Sequence, residues 1–359
     1  MRGSFKIAEI AGIRINLHIT FLLAILFLAL FATKLFFLIV ALFFLVTLHE
    51  IAHSLVAKKF GINVKEITLL PIGGVASMTK MPEKPYQEFF ISIAGPMTNI
   101  ALFVIFYFPL KWLVGPEAFF GSFKSLFVYG EPVARYAFIC RIFWMNLFLA
   151  VFNLLPAFPM DGGRILRSLL AGKLGFKRAT KIAVNFGHAF ALLFAYIGLM
   201  HGGIILIAIA VFIYMAASSE EMQVDLRTTL KRFKVKDILS SEFLTLHPEA
   251  TLSKVLELIF HSKQEDFPVM DGGNEKMIGF VTRNDVISGI HRFGVSGKVS
   301  SVMTSQVPTV KESTPLDEVQ NVMQSNGLRA LPVFKDRRVI GLVTTEDINR
   351  VYNMMAGRR

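Results

Sequence analysis

The sequence predicts a polytopic α-helical membrane protein that ends in a water-exposed α/β module. Three observations predict it. Hydrophobic residues make up 53% of the 359 positions and charged ones only 18%, which is the balance of a chain with much of its surface in lipid. The apolar residues gather before Ser218 in runs of membrane-spanning length. Beyond that point the composition turns polar and an internal repeat begins.

A helix needs about 20 apolar residues to cross a bilayer. Six segments qualify as candidates: 15–33, 36–58, 88–110, 134–156, 182–200 and 202–218. Arg2, Lys6 and Arg14 precede the first, as in a secretion signal, but no small-residue cleavage site follows, so it reads as a span. Only His201-Gly202-Gly203 separates the last two, which requires a tight hairpin. Cys140 stands alone in an apolar segment, so no disulfide framework exists and it reads as packing.

Loop charge sets the orientation. With the N-terminus in the cytosol, the inner segments hold Arg2, Lys6 and Arg14, then Lys58, Lys59, Lys65, Lys80 and Lys84, then Arg164, Arg167, Lys173, Lys177, Arg178 and Lys181. The outer loops hold only Lys34, Lys111 and Lys124. Six spans then return the C-terminus to the cytosol. The net charge of +12 therefore reflects loops beside anionic lipid, and nucleic acid is not expected as a partner.

His49-Glu50-Ile51-Ala52-His53 follows the apolar run that begins at Leu35. On a helix this spacing places two imidazoles on one face, one turn apart, with a carboxylate beside them. Ionisable groups at membrane depth are costly and point to function. A catalytic zinc takes three protein ligands and leaves a fourth position open. His49 and His53 supply two, and Glu50 points beside the pair, as suits a general base for an attacking water. The third ligand must come from elsewhere. Asp161, in Asn153-Leu-Leu-Pro-Ala-Phe-Pro-Met-Asp161-Gly-Gly-Arg164, lies just past the inner end of the fourth span, at a depth similar to His49 and His53. Pro156 and Pro159 break the helix before it. Asp-Gly-Gly is also turn chemistry, so a helix-ending turn is the competing reading of Asp161. Residues 64–78 are β-prone and interrupted by Pro71 and Gly73-Gly74. They read as a re-entrant hairpin or as an ordinary cytoplasmic β-loop.

These residues resemble the site-2 protease family of intramembrane metalloproteases, which pairs HExxH with a distant Asn-x-x-Pro…Asp-Gly motif. The resemblance covers residues 1–217, and the second proline, Pro159, falls one place later than in some members. It implies one zinc ion held by His49, His53 and Asp161, with Glu50 catalytic and Asn153 positioning substrate. It also implies that the strand edge near Gly73 and Gly74 takes an unwound substrate by β-augmentation. Ala94-Gly95-Pro96-Met97-Thr98-Asn99 reads first as close helix packing, and the family's Gly-Pro and Asn motif adds Asn99 to the substrate-positioning set. His18 sits at the inner edge of the first span and reads as a snorkelling or loop contact rather than a metal ligand, while His188 and His201 lack ligand spacing and read as structural.

After a charged segment at 218–234, two halves repeat at 235–294 and 295–359. Asp266-Phe-Pro-Val parallels Ala330-Leu-Pro-Val, and Ile278-Gly-Phe-Val-Thr-Arg-Asn-Asp parallels Ile340-Gly-Leu-Val-Thr-Thr-Glu-Asp. The turns are Asp271-Gly272-Gly273-Asn274 and Lys335-Asp336-Arg337-Arg338. Each half reads as strand, helix, strand, strand, helix. The repeat resembles a tandem pair of CBS domains, which implies a cleft for ATP, ADP or AMP with Thr282, Asp285, Thr344 and Asp347 at the ribose or phosphate. Thr-x-x-Asp is equally a helix start. Many such modules serve only in dimerisation, so a homodimer through the pair is a further expectation.

The expected protein is a multi-pass cell-membrane zinc endopeptidase with a cytosolic N-terminus and repeat module. It would cut a membrane-spanning segment of a protein substrate near the cytosolic face, with the module modulating activity. The rival reading is a transporter or channel gated by the module; one-turn spacing of the histidines around a glutamate favours the metal site over an ion relay.

Overall fold

The computed structural model describes residues 3–78, 82, 84–124, 136–240, 242–262, 264–272, 276–336 and 338–356. Arg2, Lys80, Gly273, Asn274 and Arg337, invoked above for topology and turns, lie outside that set. The chain forms two compact units, residues 1–222 and 223–359.

The first unit opens with strands, not with a span. β1 (Ser4–Ile10) and β2 (Ile13–His18) form an antiparallel hairpin. β2 then pairs in parallel with β3 (Val64–Leu70), which pairs antiparallel with β4 (Gly73–Met78). The candidate span at 15–33 is therefore corrected: residues 15–18 belong to β2, and only α1 (Ile19–Phe31) is helical, capped by His18, whose side chain accepts from the Thr20 amide. At 13 residues it is about 20 Å long, short of a hydrocarbon core. The alternation Ile13, Ile15, Leu17 is the reason. Period-2 apolar residues face one side of a sheet, and here Ile13 and Ile15 pack with Ile67, Leu69, Phe21, Phe43 and Ile51 in one core.

Among the described residues, four helices are long and apolar enough to cross a membrane: Leu35–Lys59 within α2 (Thr33–Lys59), α3 (Pro85–Val114), α7 (Phe176–Met200) and α8 (Ile204–Leu230). α5 (Ala137–Asn153) is shorter, α4 (Pro116–Lys124) is a brief helix, and α6 (Asp161–Leu174) is more polar. Leu23, Phe27, Phe31, Val104, Ile105 and Phe108 lie exposed on helix exteriors, as expected where lipid is the solvent. α2 ends in a Schellman motif, with the Ile62 amide donating to the Ala57 carbonyl and the Gly61 amide to Lys58. Gly61 has φ +76°, which glycine adopts without strain. That stop turns the chain directly into β3, so the sheet lies against the helix carrying His49 and His53.

Residues 64–78 do form a hairpin, β3–β4. In the charged linker at 218–234, α8 continues to Leu230, because Glu, Met, Gln, Leu and Arg extend the helix after its apolar part ends.

In the second unit each half holds a helix, a β-hairpin and a second helix: α9 (Leu252–His261), β5 (Phe267–Asp271), β6 (Lys276–Val281) and α10 (Arg283–Phe293), then α11 (Leu316–Asn326), β8 (Ala330–Lys335), β9 (Arg338–Thr344) and α12 (Thr345–Ala356). The expected leading strand is β7 (Val310–Lys311) in the second half, parallel to β8. In the first half it shrinks to a single bridge between Leu246 and Val269. Each half has its own buried apolar core.

Candidate metal centre

His49 and His53 lie one turn apart on α2, both buried. Asp161 is the first residue of α6, where a helix N-terminus favours a carboxylate. The Asp161 Oδ2 lies 3.0 Å from His49 Nε2 and 3.0 Å from His53 Nε2, and the two Nε2 atoms are 3.0 Å apart. The ligand atoms of these three residues converge from two helices separated by more than a hundred positions in sequence.

His53 Nδ1 lies 2.6 Å from the Ile91 carbonyl oxygen of α3. A carbonyl only accepts, so Nδ1 carries the proton and Nε2 of the neutral ring presents a lone pair. That lone pair faces the Asp161 carboxylate and His49 Nε2. One proton on His49 cannot serve all three contacts, whereas one cation can. Two imidazoles and an ionised carboxylate suit zinc and leave a fourth position open.

Gly95 of α3 makes room for this arrangement. A Cβ there would stand 2.6 Å from His49 Nε2 and closer still to His53 Nε2. Gly162 and Gly163 do the same for Asp161. A Cβ on Gly162 would strike the Leu154 and Leu155 carbonyls, and one on Gly163 the backbone at Ala157 and Phe158. Asp161-Gly-Gly is thus the first turn of a helix pressed against the proline loop, rather than a reverse turn.

Glu50 faces the sheet side. A Cβ on Gly74 would lie 2.7 Å from Glu50 Cγ, so β4 runs directly past the carboxylate. β4 pairs only with β3, which leaves its other edge open among the described residues. Gly73 opens the same strand with φ +138°. Asn153 ends α5, and its Nδ2 donates to the Leu149 carbonyl at 2.9 Å. Asn99 is fully buried on α3, which favours a role inside the protein over contact with substrate. His188 meets Ser218 at 3.0 Å, and His201 bonds the Ile197 carbonyl, so both are satisfied structurally.

Arg167, one of the loop charges in the topology argument, is buried. Its Nε donates to Glu88 Oε1 at 2.9 Å, its Nη2 also meets Glu88, and its Nη1 donates to Glu220 at 2.7 Å. Its guanidinium lies between the rings of Phe158 and Phe176, 4.7 and 4.6 Å from their centroids. It joins α6, which carries Asp161, to α3, which supplies Ile91 and Gly95. Nothing in the local sequence distinguishes it from a surface arginine. Arg167→Met leaves Glu88 and Glu220 without their hydrogen-bonded guanidinium and should destabilise the fold by about 3–5 kcal/mol, read as a lower midpoint of thermal unfolding in detergent.

In the second unit, Thr282 and Asp285 form a reciprocal cap. The Thr282 hydroxyl donates to Asp285 Oδ2 at 2.7 Å, and the Asp285 amide donates back at 3.2 Å. Thr344 and Asp347 repeat it at 2.7 and 3.1 Å. The helix-start reading of Thr-x-x-Asp therefore holds at both copies. Thr282 also lines a cleft of about 260 Å³ with Glu265, Asp266, Arg283 and Arg329. Glu265 accepts from Arg283 at 2.9 Å and from Arg329 at 2.8 Å. Burial pushes the Asp266 carboxyl up, and its Oδ2 has no partner. The repeat alignment held a signal for this cluster: Glu265 and Arg329 occupy equivalent places with opposite charge.

The site and the helices define a membrane-embedded metallohydrolase, and comparison with known proteins agrees. Residues 37–194 match the profile of Peptidase family M50, and residues 235–292 and 299–353 each match the CBS domain profile. A zinc metalloprotease of Methanocaldococcus jannaschii is 34% identical over 360 aligned positions, covering 99% of this chain and 98% of that protein. Rip3 of Mycobacterium tuberculosis is 27% identical over 322 positions, 85% of this chain and 77% of that one. A solved structure of the site-2 protease from Methanocaldococcus jannaschii is 40% identical, covers 61% of this chain and 95% of its own, and has a TM-score of 0.43. The chain belongs to Peptidase family M50, as a membrane zinc metalloprotease with a C-terminal pair of CBS domains. The channel reading is set aside.

Proposed function

We propose that His49, His53 and Asp161 hold the zinc ion, that Glu50 is the general base, and that the enzyme cuts membrane-spanning segments of protein substrates near the cytosolic face. The observation that carries this reading is the convergence of the three ligand atoms beside a carboxylate packed on an open-edged strand. Zinc bound there supplies a Lewis acid that acidifies water and polarises a carbonyl. Glu50 takes the proton of the attacking water on a carboxylate oxygen and returns it to the leaving amine. The free edge of β4 holds the substrate backbone extended beside Glu50 through main-chain hydrogen bonds, with Gly73 and Gly74 leaving its path clear. A transmembrane helix must unwind to be cut, since its carbonyls are otherwise paired, and strand pairing compensates the lost bonds. Asn153, at the inner end of α5, positions that backbone. Loop charge supports an orientation with the N-terminus and the CBS pair in the cytosol, in the cell membrane.

The CBS pair would bind an adenine nucleotide in the Thr282 cleft, with Arg283 and Arg329 facing phosphate and Thr282 and Asp285 near the ribose, and Thr344 and Asp347 placed likewise in the second half. It would modulate cleavage, and a homodimer through the pair is part of the same reading. Reconstituted enzyme with a panel of tethered membrane peptides tests both parts. Zinc-dependent cleavage whose rate changes with added AMP or ATP is expected; unchanged rates across nucleotides would remove the regulatory part alone. Asp161→Ala should weaken zinc binding by at least about tenfold, as loss of a ligand exceeds loss of an outer partner. Unaltered metal content in that variant would remove Asp161 from the site.

A further inference from the structure

Four buried polar atoms near the metal centre have no hydrogen-bond partner: His49 Nδ1, both amide atoms of Asn99, and Asn146 Oδ1. They sit on α2, α3 and α5, three helices that pack together, and Asn146 Nδ2 donates to the Asn99 carbonyl oxygen at 2.7 Å. Buried polar groups are rarely left unpaired, and a metal-ligating histidine almost always donates its outer N–H. His53 does so, to Ile91. His49, if its Nε2 is a ligand atom, must carry its proton on Nδ1 and needs an acceptor there.

The helix geometry points to where that acceptor lies. α2 and α3 run antiparallel in sequence direction, so His49, one turn before His53, faces α3 one turn beyond Ile91. A Cβ on Gly95 would touch His49 Nε2 at 2.6 Å and Cε1 at 2.7 Å, and Nδ1 is the ring atom next to Cε1. Asn99 follows Gly95 by one turn on the same face, with Cβ positions about 5–6 Å apart. Its side chain leans toward the helix N-terminus, back toward Gly95. A water needs two to four polar partners, and Asn99 and Asn146 offer three unpaired amide atoms beside the His49 donor.

We infer that Asn99 and Asn146 hold a buried water that accepts a hydrogen bond from the His49 Nδ1–H, making Asn99 a positioning residue for the metal ligand. This rests on His49 being a zinc ligand. Asn99 then acts through His49 rather than on the substrate.

The test is zinc affinity of the full-length protein in detergent, by competition with a chelating dye, alongside thermal unfolding of the metal-free form. Asn99→Leu should weaken zinc by about 10–100-fold, the usual cost of an outer-shell loss. The metal-free protein should still unfold cooperatively, at a modestly lower midpoint, since leucine leaves Asn146 and His49 without the shared water. Asn99→Asp, which keeps an acceptor, should hold zinc within about threefold of wild type. Asn99→Ser leaves room for the water and should fall between them; it stands in if the leucine variant does not fold. Normal zinc affinity in Asn99→Leu, or equal losses in the leucine, serine and aspartate variants, overturns the inference. His49→Ala is the control for the underlying reading: if that variant keeps zinc, His49 is not a ligand at all, a result distinct from failure of Asn99 alone.

Discussion

Glu50→Gln should bind zinc as the wild type does and lose cleavage by roughly a hundred- to ten-thousandfold, the contribution of a general base. The amide keeps the shape of the side chain against Gly74, so β4 stays in place and substrate pairing is unaffected. Only the capacity to accept a proton is lost. The three proposed ligand atoms come from other residues, so metal content should be unchanged. Rate and metal content measured on the same preparation check both halves of the statement. Zinc loss in this variant would make Glu50 a ligand, and normal cleavage would remove it from the chemistry.

Gly95→Ala should have a comparable effect by a different route. Alanine is the better helix former by about 1 kcal/mol, so by propensity alone α3 would gain. The added methyl, however, would stand 2.6 Å from His49 Nε2, in a helix interior that cannot yield locally. Either the imidazoles turn away or α2 and α3 separate, and each outcome spoils the ligand triangle. Zinc affinity should fall by at least about tenfold, while helical content measured by circular dichroism stays at the wild-type level. A wild-type zinc affinity would show that α3 does not press on the centre.

The HExxH motif was legible because a helical period is local: four residues fix two imidazoles on one face. Asp161 was legible through topology, since counted charges placed two span ends at one depth. The N-terminal hairpin was misread because Ile13, Ile15 and Leu17 adjoin the apolar run of α1, and composition there outweighs an alternation of three residues. The continuation of α8 to Leu230 was hidden by its charge, although its residues favour helix. Gly95 looked like generic close packing, and its Cβ-free approach to two ring nitrogens exists only in three dimensions. The burial of Arg167 between Glu88 and Glu220 was invisible for the same reason, as the three residues lie far apart in sequence.

In the proposed function this centre hydrolyses peptide bonds within the membrane. The most direct measurement is the position of the scissile bond, mapped by mass spectrometry on a single-span peptide cut by the reconstituted enzyme, with Glu50→Gln as control. A zinc-dependent cut inside the apolar segment, near its cytosolic end, is expected, and none with the variant. A cut confined to the soluble flanks, or one that Glu50→Gln still makes, would contradict it.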